Sequence, residues 1–517
     1  MPAIPITKPT TPQIAIGGER LTIGDVDAVA SRGARVVLPA SARRRIERSH
    51  EFLLEVVARG TPVYGLTTGC GPLAANDVDP AERSGFQRNL IRSHAVSLGA
   101  PLPAAFVRAA MTVRAHVLAR GFSGVHPATV DVLVGMLNAG ITPVVREVGS
   151  VGASGDLVEL AQIALAAIGE DEVSFDGATT GATRALRAAG VEPLVPVHRD
   201  GLALINGTSC HTGTAAVVHA RAARISRAAQ VAAAVAFEAL RGKSEALDDA
   251  FQRLRPHAGQ AEVAAFVRRV TEGSSLLVGE SPAADQDAYT LRCIPQVLGA
   301  ALDALEAAGA VIATELDSVI DNPLFLAEEG RVVHGGNFHG QPVAMALDQI
   351  KTAAVEIGVM SERRLARLLD PLLNDGLPAF LVPEGAPASS GFMGLQYCAS
   401  SMAADNAVLA APASVRSVPT NGNNQDVVSM GMVAARQTAR VLDNVERMVA
   451  IELLCAAQAL ELRGAVRAGA GTCAALAAIR EHVEALTDDR PLRADVETVC
   501  GLIDRGELVA VVDRATS

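Results

Sequence analysis

The sequence predicts a mainly α fold: a long central helical bundle with a smaller N-terminal region containing short strands. Three observations predict it. Apolar residues recur three and four apart from about residue 43 onward, several segments continue that period for roughly thirty residues, and strand-like pieces are few and short.

Taken in order, "MPAIPITKPTTPQ" opens residues 1–20, which read as a flexible leader without the basic and apolar regions of a signal peptide. "RLTI" and "RVVL" read as short strands. "RRIERSHEFLLEVVARG", "AAFVRAAMTVRAHVLARG" and "ATVDVLVGMLNAG" read as helices with one apolar face. The long runs follow, from about Thr208 to Arg241, Ala288 to Ile320, Pro342 to Leu369 and Asp426 to Arg463. Helices so long and apolar need neighbours on several sides, which implies a bundle with burial between subunits. The expected divisions are 1–20, 21–205, the long-helix bundle at 206–464, and a C-terminal helical segment at 465–517.

Composition narrows the function. With 49% hydrophobic and 20% charged residues, the 517-residue chain suits a large core in water. A net charge of −11 speaks against a nucleic-acid partner, which needs a basic surface. The Ala/Val-rich stretch from Thr214 to Leu240 carries His219, Arg221, Arg224 and Arg227, so no membrane partner is expected. Cysteines 70, 210, 293, 398, 455, 473 and 500 are odd in number and lack CxxC pairing. Neither a disulfide framework nor a zinc site is suggested, and a reducing cytoplasm fits.

Turn residues gather in "YGLTTGCGP", "GSVGASGD", "LINGT", "IDNPL", "HGGNFHGQP" and "PTNGNNQD". The second is the most unusual. "GSVGASGDLVEL" lacks the Lys-Ser/Thr of a phosphate loop, its glycines are spaced GxxGxxG rather than GxGxxG, and it is not a GxSxG elbow, so no nucleotide is expected. One reading is a helix N-cap supplied by Ser154 or Asp156. The other is chemical: the unhindered Gly155 amide attacks the Ala153 carbonyl, and loss of two waters leaves a methylidene-imidazolone with an electrophilic alkene. The three tyrosines, Tyr64, Tyr289 and Tyr397, all lie among polar or glycine-rich neighbours.

With these motifs in their order, together with "QRNLIRSHA", "RPHAGQ" and "DAYTLRCIPQVLGA", the chain resembles the aromatic amino acid ammonia-lyase and aminomutase family from about Leu21 to its C-terminus. The resemblance implies a helical lyase architecture like that of fumarase and aspartase, and a homotetramer with shared active sites. It places the electrophile loop in region 21–205. The prosthetic ring would form from Ala153, Ser154 and Gly155 without metal or nucleotide, at the positive end of the helix beginning near Asp156.

The resemblance assigns further roles. Asn206 would bond the ring, Tyr64 would take the substrate's β-hydrogen, Tyr289 would help position the base and the amine, Arg292 would fork the substrate carboxylate, and Phe338 would pack against the ring. Because a free phenol has a pKa of about 10, the Tyr64 site is expected to favour phenolate.

The resemblance implies a small-molecule partner, an aromatic amino acid substrate. Ser93 and His94 stand where histidine lyases carry Ser-His, which favours a polar ring. Asn424-Gln425-Asp426 stands where those enzymes carry a Glu for the imidazole, so Gln425 departs from them. "ELDSVIDNPLF", "GLQY" with Tyr397, and "NGNNQDVVSMG" look more like tyrosine lyases and tyrosine aminomutases, while Cys70 departs from the family's usual Phe or Tyr and should widen the pocket near the base. Tyrosine is the first expectation and histidine the second; a modified aromatic amino acid stays open, and so does lyase versus aminomutase. Of the rivals, the fumarase signature is only mimicked by Gly273-Ser274-Ser275, HExxH is missing for a metal hydrolase, and a non-catalytic helical scaffold is the structural alternative.

Overall fold

The computed structural model describes residues 12–517 apart from 19, 280–285, 384 and 387. Most of the leader expected at 1–20 lies outside the described residues. Its later part contains a strand, Gln13–Ala15, paired in parallel with Arg35–Val37. The chain divides into two compact units: Met1–Ala220 with Gly309–Asp348 and Pro412–Arg436, and Arg221–Ala308 with Gln349–Ala411 and Gln437–Ser517.

All named strands among the described residues belong to the first unit. Besides the parallel pair it holds Leu98–Pro101 against Arg146–Val148, a three-stranded piece from Thr142–Pro143, Glu172–Phe175 and Ala178–Gly181, and the hairpin Leu324–Leu326 with Arg331–Val333. "RVVL" is a strand as expected. "RLTI" is not. Thr22 caps the helix Ile23–Arg32, its side chain accepting from the Asp25 amide while Asp25 reaches back to the Thr22 amide. That reciprocal capping box outweighs four residues of β-favouring alternation.

The long runs are helices, with informative breaks. Ser209–Ala239 and Gln341–Leu369 are continuous. The run from Ala288 is a single turn, Tyr289–Arg292, that gives way at Cys293 to Ile294–Leu316. The last run begins five residues later than expected, as Gly431–Arg463, because Met430 takes a positive φ of 54°. Alanine accounts for the packing: from Val231 to Ala239 every position of the Ser209 helix is buried and all but Glu238 are Ala, Val or Phe, so close helix neighbours are possible all round.

In the second unit, fully buried Arg364 donates through Nη2 to Glu452 Oε2 at 3.0 Å. In the first, Phe52, Leu53, Val56, Val63, Leu66 and Phe325 form a buried cluster directly beneath the turn that carries Tyr64. Phe325 is fully enclosed. Phe325→Ala is expected to cost about 3–5 kcal/mol through lost transfer energy and the cavity left behind. Urea unfolding followed by far-UV circular dichroism checks this, since the chain has no tryptophan to report it.

Candidate active site

The "GSVGASGD" turn is shaped by two glycines. Gly152 has φ of 75°, and a Cβ there would fall 2.1 Å from Ser429 Oγ. Gly155 has φ of 73°, and a Cβ there would fall 1.9 Å from the Gly207 carbonyl oxygen. Only glycine tolerates both the left-handed conformation and the contact. The close approach is a backbone crossing: the Asp156 amide donates to Gly207 O at 2.7 Å and the Gly207 amide donates to Ser154 O at 3.2 Å. Two helices start there, Leu157–Ala167 after the turn and Ser209–Ala239 after Gly207, so two positive dipole ends converge behind Ala153-Ser154-Gly155.

Neither capping expectation holds. Asp156 is the N-cap residue, but its side chain makes no cap bond. Its Oδ2 accepts from the His211 amide, and its Oδ1 lies 2.8 Å from His211 Nδ1 and 2.7 Å from the donating Ser150 Oγ. Burial alone would lower His211, but the Asp156 carboxylate more than offsets it and holds the imidazole above its ordinary value. Ser154 Oγ instead accepts from Gln425 Nε2 at 2.9 Å, and Gln425 Oε1 accepts from Thr420 Oγ1 at 2.8 Å.

A cavity of about 1160 Å³ opens in front of the turn. Eleven of the residues singled out in the sequence line it: Tyr64, Cys70, Ser93, His94, Ala153, Ser154, Gly155, Asn206, Phe338, Asn424 and Gln425. Tyr289, Arg292 and Tyr397 belong to the second unit. There the Arg292 guanidinium stacks 4.7 Å from the Tyr289 ring centre, and Tyr289 and Tyr397 are 70% and 66% exposed.

The walls have distinct electrostatics. Tyr64 Oη accepts from the Gly71 amide at 2.7 Å. The expectation that its surroundings favour phenolate is corrected: burial raises the phenol, and the Gly71 amide and the Arg199 charge offset that only partly. Burial likewise pushes the neighbouring Cys70 thiol up to about 11, so both groups are neutral at pH 7. His94 is oriented through Nδ1, which lies 2.9 Å from Leu90 O and 3.1 Å from Ser93 Oγ.

Asn206 donates from Nδ2 to Asp321 Oδ1 at 2.9 Å and to Asn322 O at 3.2 Å. Asp321 is itself gripped by Arg199, at 2.7 and 2.8 Å. Burial acts to raise Asp321, but Arg199 and Arg114 outweigh it and keep the carboxyl below its usual range.

Sequence reasoning missed Asp321, Arg199, His211 and Glu159. "IDNPL" had marked Asp321 as a turn residue, while Arg199 and His211 carried no local signal. Gly155→Ala is expected to prevent the crossing with Gly207. Limited proteolysis should then cut the 149–156 segment faster than in the parent chain, and a cleavage pattern equal to the parent's counts against this account of the turn.

Comparison with known proteins gives the family of the chain. The profile of the aromatic amino acid lyase family matches residues 21–481. A histidine ammonia-lyase of Symbiobacterium thermophilum is 46% identical over 496 residues, 96% of this chain and 97% of that protein. A tyrosine ammonia-lyase of Cupriavidus metallidurans is 43% identical over 519 residues, covering 96% and 97%. Among solved structures, the tyrosine aminomutase of Streptomyces globisporus superposes with a TM-score of 0.92 at 38% identity, covering 97% of this chain and 99% of that one. A turn of Ala-Ser-Gly crossed by a second glycine, at the mouth of a cavity walled by a tyrosine, an asparagine and a histidine, thus sits in a chain that belongs to the aromatic amino acid lyase family of carbon–nitrogen lyases.

Proposed function

We propose that this chain eliminates ammonia from L-tyrosine to give the α,β-unsaturated acid, with a methylidene-imidazolone formed from Ala153, Ser154 and Gly155 as its electrophile. The observation that carries the tyrosine reading is Gln425: a neutral amide at this position lines the cavity with His94, so a phenol hydroxyl meets a donor, an acceptor and an imidazole. The residues present fit the ring. Gly155 occupies a cradle that a Cβ would fill, and the turn is bent by the crossing with Gly207. Such a group supplies an electrophilic alkene carbon that makes the substrate amine a better leaving group.

The chain's own residues do the rest. Tyr64 takes the β-proton once its phenol is deprotonated, and the Gly71 amide at 2.7 Å steadies the phenolate. Asn206, its amide nitrogen held by Asp321 and the Asn322 carbonyl, lines the cavity together with the turn. Phe338 covers the cavity side. In this reading the protein is a homotetramer with shared sites: Tyr289, Arg292 and Tyr397 serve a neighbouring copy, Arg292 as the carboxylate fork. The exposure of both tyrosines supports it, because it leaves them available to a neighbouring copy.

Histidine is the second reading. Ser93-His94 and the histidine ammonia-lyase relatives favour it. Incubation with each amino acid, following the unsaturated product, decides: faster turnover of histidine overturns the tyrosine reading, and a β-amino acid among the tyrosine products identifies mutase activity.

Two substitutions sharpen this. Ser154→Ala is expected to show an intact mass without the loss of two waters, to lack activity, and to unfold within about 1 kcal/mol of the parent, the usual net worth of one hydrogen bond. Retained turnover in that variant sinks the proposed chemistry. Gln425→Glu is expected to raise the histidine-to-tyrosine ratio of kcat/KM by about tenfold or more, since one well-placed charge on an imidazole exceeds 1.4 kcal/mol. Steady-state kinetics on both substrates measures it.

A further inference from the structure

Glu159 lies in the first turn of the Leu157–Ala167 helix, fully buried, and has no part in the chemistry above. Its Oε1 accepts from the Ser150 amide at 2.9 Å. Ser150 is the residue that closes the turn on itself: its Oγ accepts from the Gly152 amide at 3.1 Å and donates to Asp156 Oδ1 at 2.7 Å. The segment entering the turn lies flat on the same helix, since a Cβ on Gly149 would fall 2.3 Å from Val158 Cγ1. Glu159 therefore holds the residue that holds both ends of the Ala153-Ser154-Gly155 turn.

We propose that Glu159 is a positioning residue for the electrophile-forming turn, fixing Ser150 so that the Ala153-Ser154-Gly155 backbone is presented in its bent form. The inference rests on the reading that this turn matures into the electrophile. An acid is a costly choice for the task, because glutamine accepts the same hydrogen bond without a charge to bury. The groups facing it are Asp156 at the helix start, Cys210 on the Ser209–Ala239 helix, and Arg436 on the Gly431–Arg463 helix. Burial, with the Asp156 charge, pushes the Glu159 carboxyl up to about 8.

The sign follows from that direction. A carboxyl raised on folding contributes stability that is complete below its unfolded value of 4.5 and drains away as the pH climbs to about 8. The Ser150 amide bonds the charged form as well as the neutral one, so it is the stability of the parent chain that depends on pH, a dependence absent from Glu159→Gln.

Three measurements on the full-length protein test this: intact mass, steady-state kinetics and thermal melting across pH. Glu159→Val leaves the Ser150 amide unpaired, and incomplete loss of two waters is expected together with a kcat lowered roughly 10- to 100-fold at little changed KM, as for a misplaced reacting group. Glu159→Gln keeps the acceptor, so complete water loss and recovery of most of that kcat are expected. Its melting temperature should gain on the parent's as pH rises from 4.5 to about 8 and then hold level.

Complete water loss with parental kcat in Glu159→Val overturns the proposal. So does incomplete water loss in Glu159→Gln, which keeps the acceptor for the Ser150 amide, and that result also decides the case if Glu159→Val does not fold. A parent protein of unmodified mass instead defeats the ring reading, while faster proteolysis of the 149–156 segment in Glu159→Val than in the parent still reports on the Glu159 grip.

Discussion

The 2.7 Å hydrogen bond from the Asp156 amide to the Gly207 carbonyl is the contact on which the site depends. It brings together two segments fifty residues apart, each at the start of a helix, with no side chain between them. Once the crossing is made, Asp156 is close enough to His211 to pair with it, and Asn206 is turned toward Asp321. The turn itself is then closed by Ser150. A site assembled this way has little freedom left in its backbone, and preorganised dipoles are worth most where nothing needs to reorganise.

Buried charge pays for that rigidity in an unusual currency: hydrogen bonds rather than apolar area. Arg199 and Asp321 are both fully enclosed, and such pairs seldom stabilise a fold more than apolar residues of the same volume do. Their value lies in direction. Arg199 donates to both Asp321 oxygens and fixes the carboxylate, whose Oδ1 also accepts from the Asn206 amide, so rotating the asparagine away forfeits a buried, charge-assisted hydrogen bond. The Asp156–His211 pair acts in the same way on the helix start behind the turn.

How much of this was legible in the sequence depends on the range of the interactions. Helices of thirty residues announce themselves through period and alanine content, and the long runs from Thr208 and Pro342 were placed to within about two residues, the usual scatter of helix ends. "RLTI" misled because four alternating residues are too few to outweigh a cap, although the Thr22 to Asp25 spacing of the box was there to be read. At the site, residues inside glycine-containing motifs were recognisable: nine of the eleven that line the cavity came from five such stretches, and Ser93 and His94 from the glycine-free "QRNLIRSHA". Arg199 was not, since its meaning comes from an aspartate 122 positions away. Glu159 was hidden differently: it reads as an ordinary acid in a first helical turn, and only its burial against Ser150 reveals otherwise.

Gln425 shows how the substrate question and the turn are coupled. A side-chain amide has two N–H donors and a carbonyl oxygen with two acceptor sites. In the present state one donor is used by Ser154 Oγ and one acceptor site by Thr420 Oγ1. On the proposed reading, maturation removes the Ser154 hydroxyl and so frees that donor inside the cavity. The mature site then holds an amide anchored at its oxygen by Thr420 and open at its nitrogen, a few residues from Asn424. A neutral phenol oxygen can accept from that nitrogen at no electrostatic cost, whereas a cationic imidazolium finds a donor where it needs an acceptor. The same hydrogen bond that orders Ser154 before maturation thereby becomes a term in substrate choice after it, and it is the one feature of this cavity that a glutamate at position 425 would reverse.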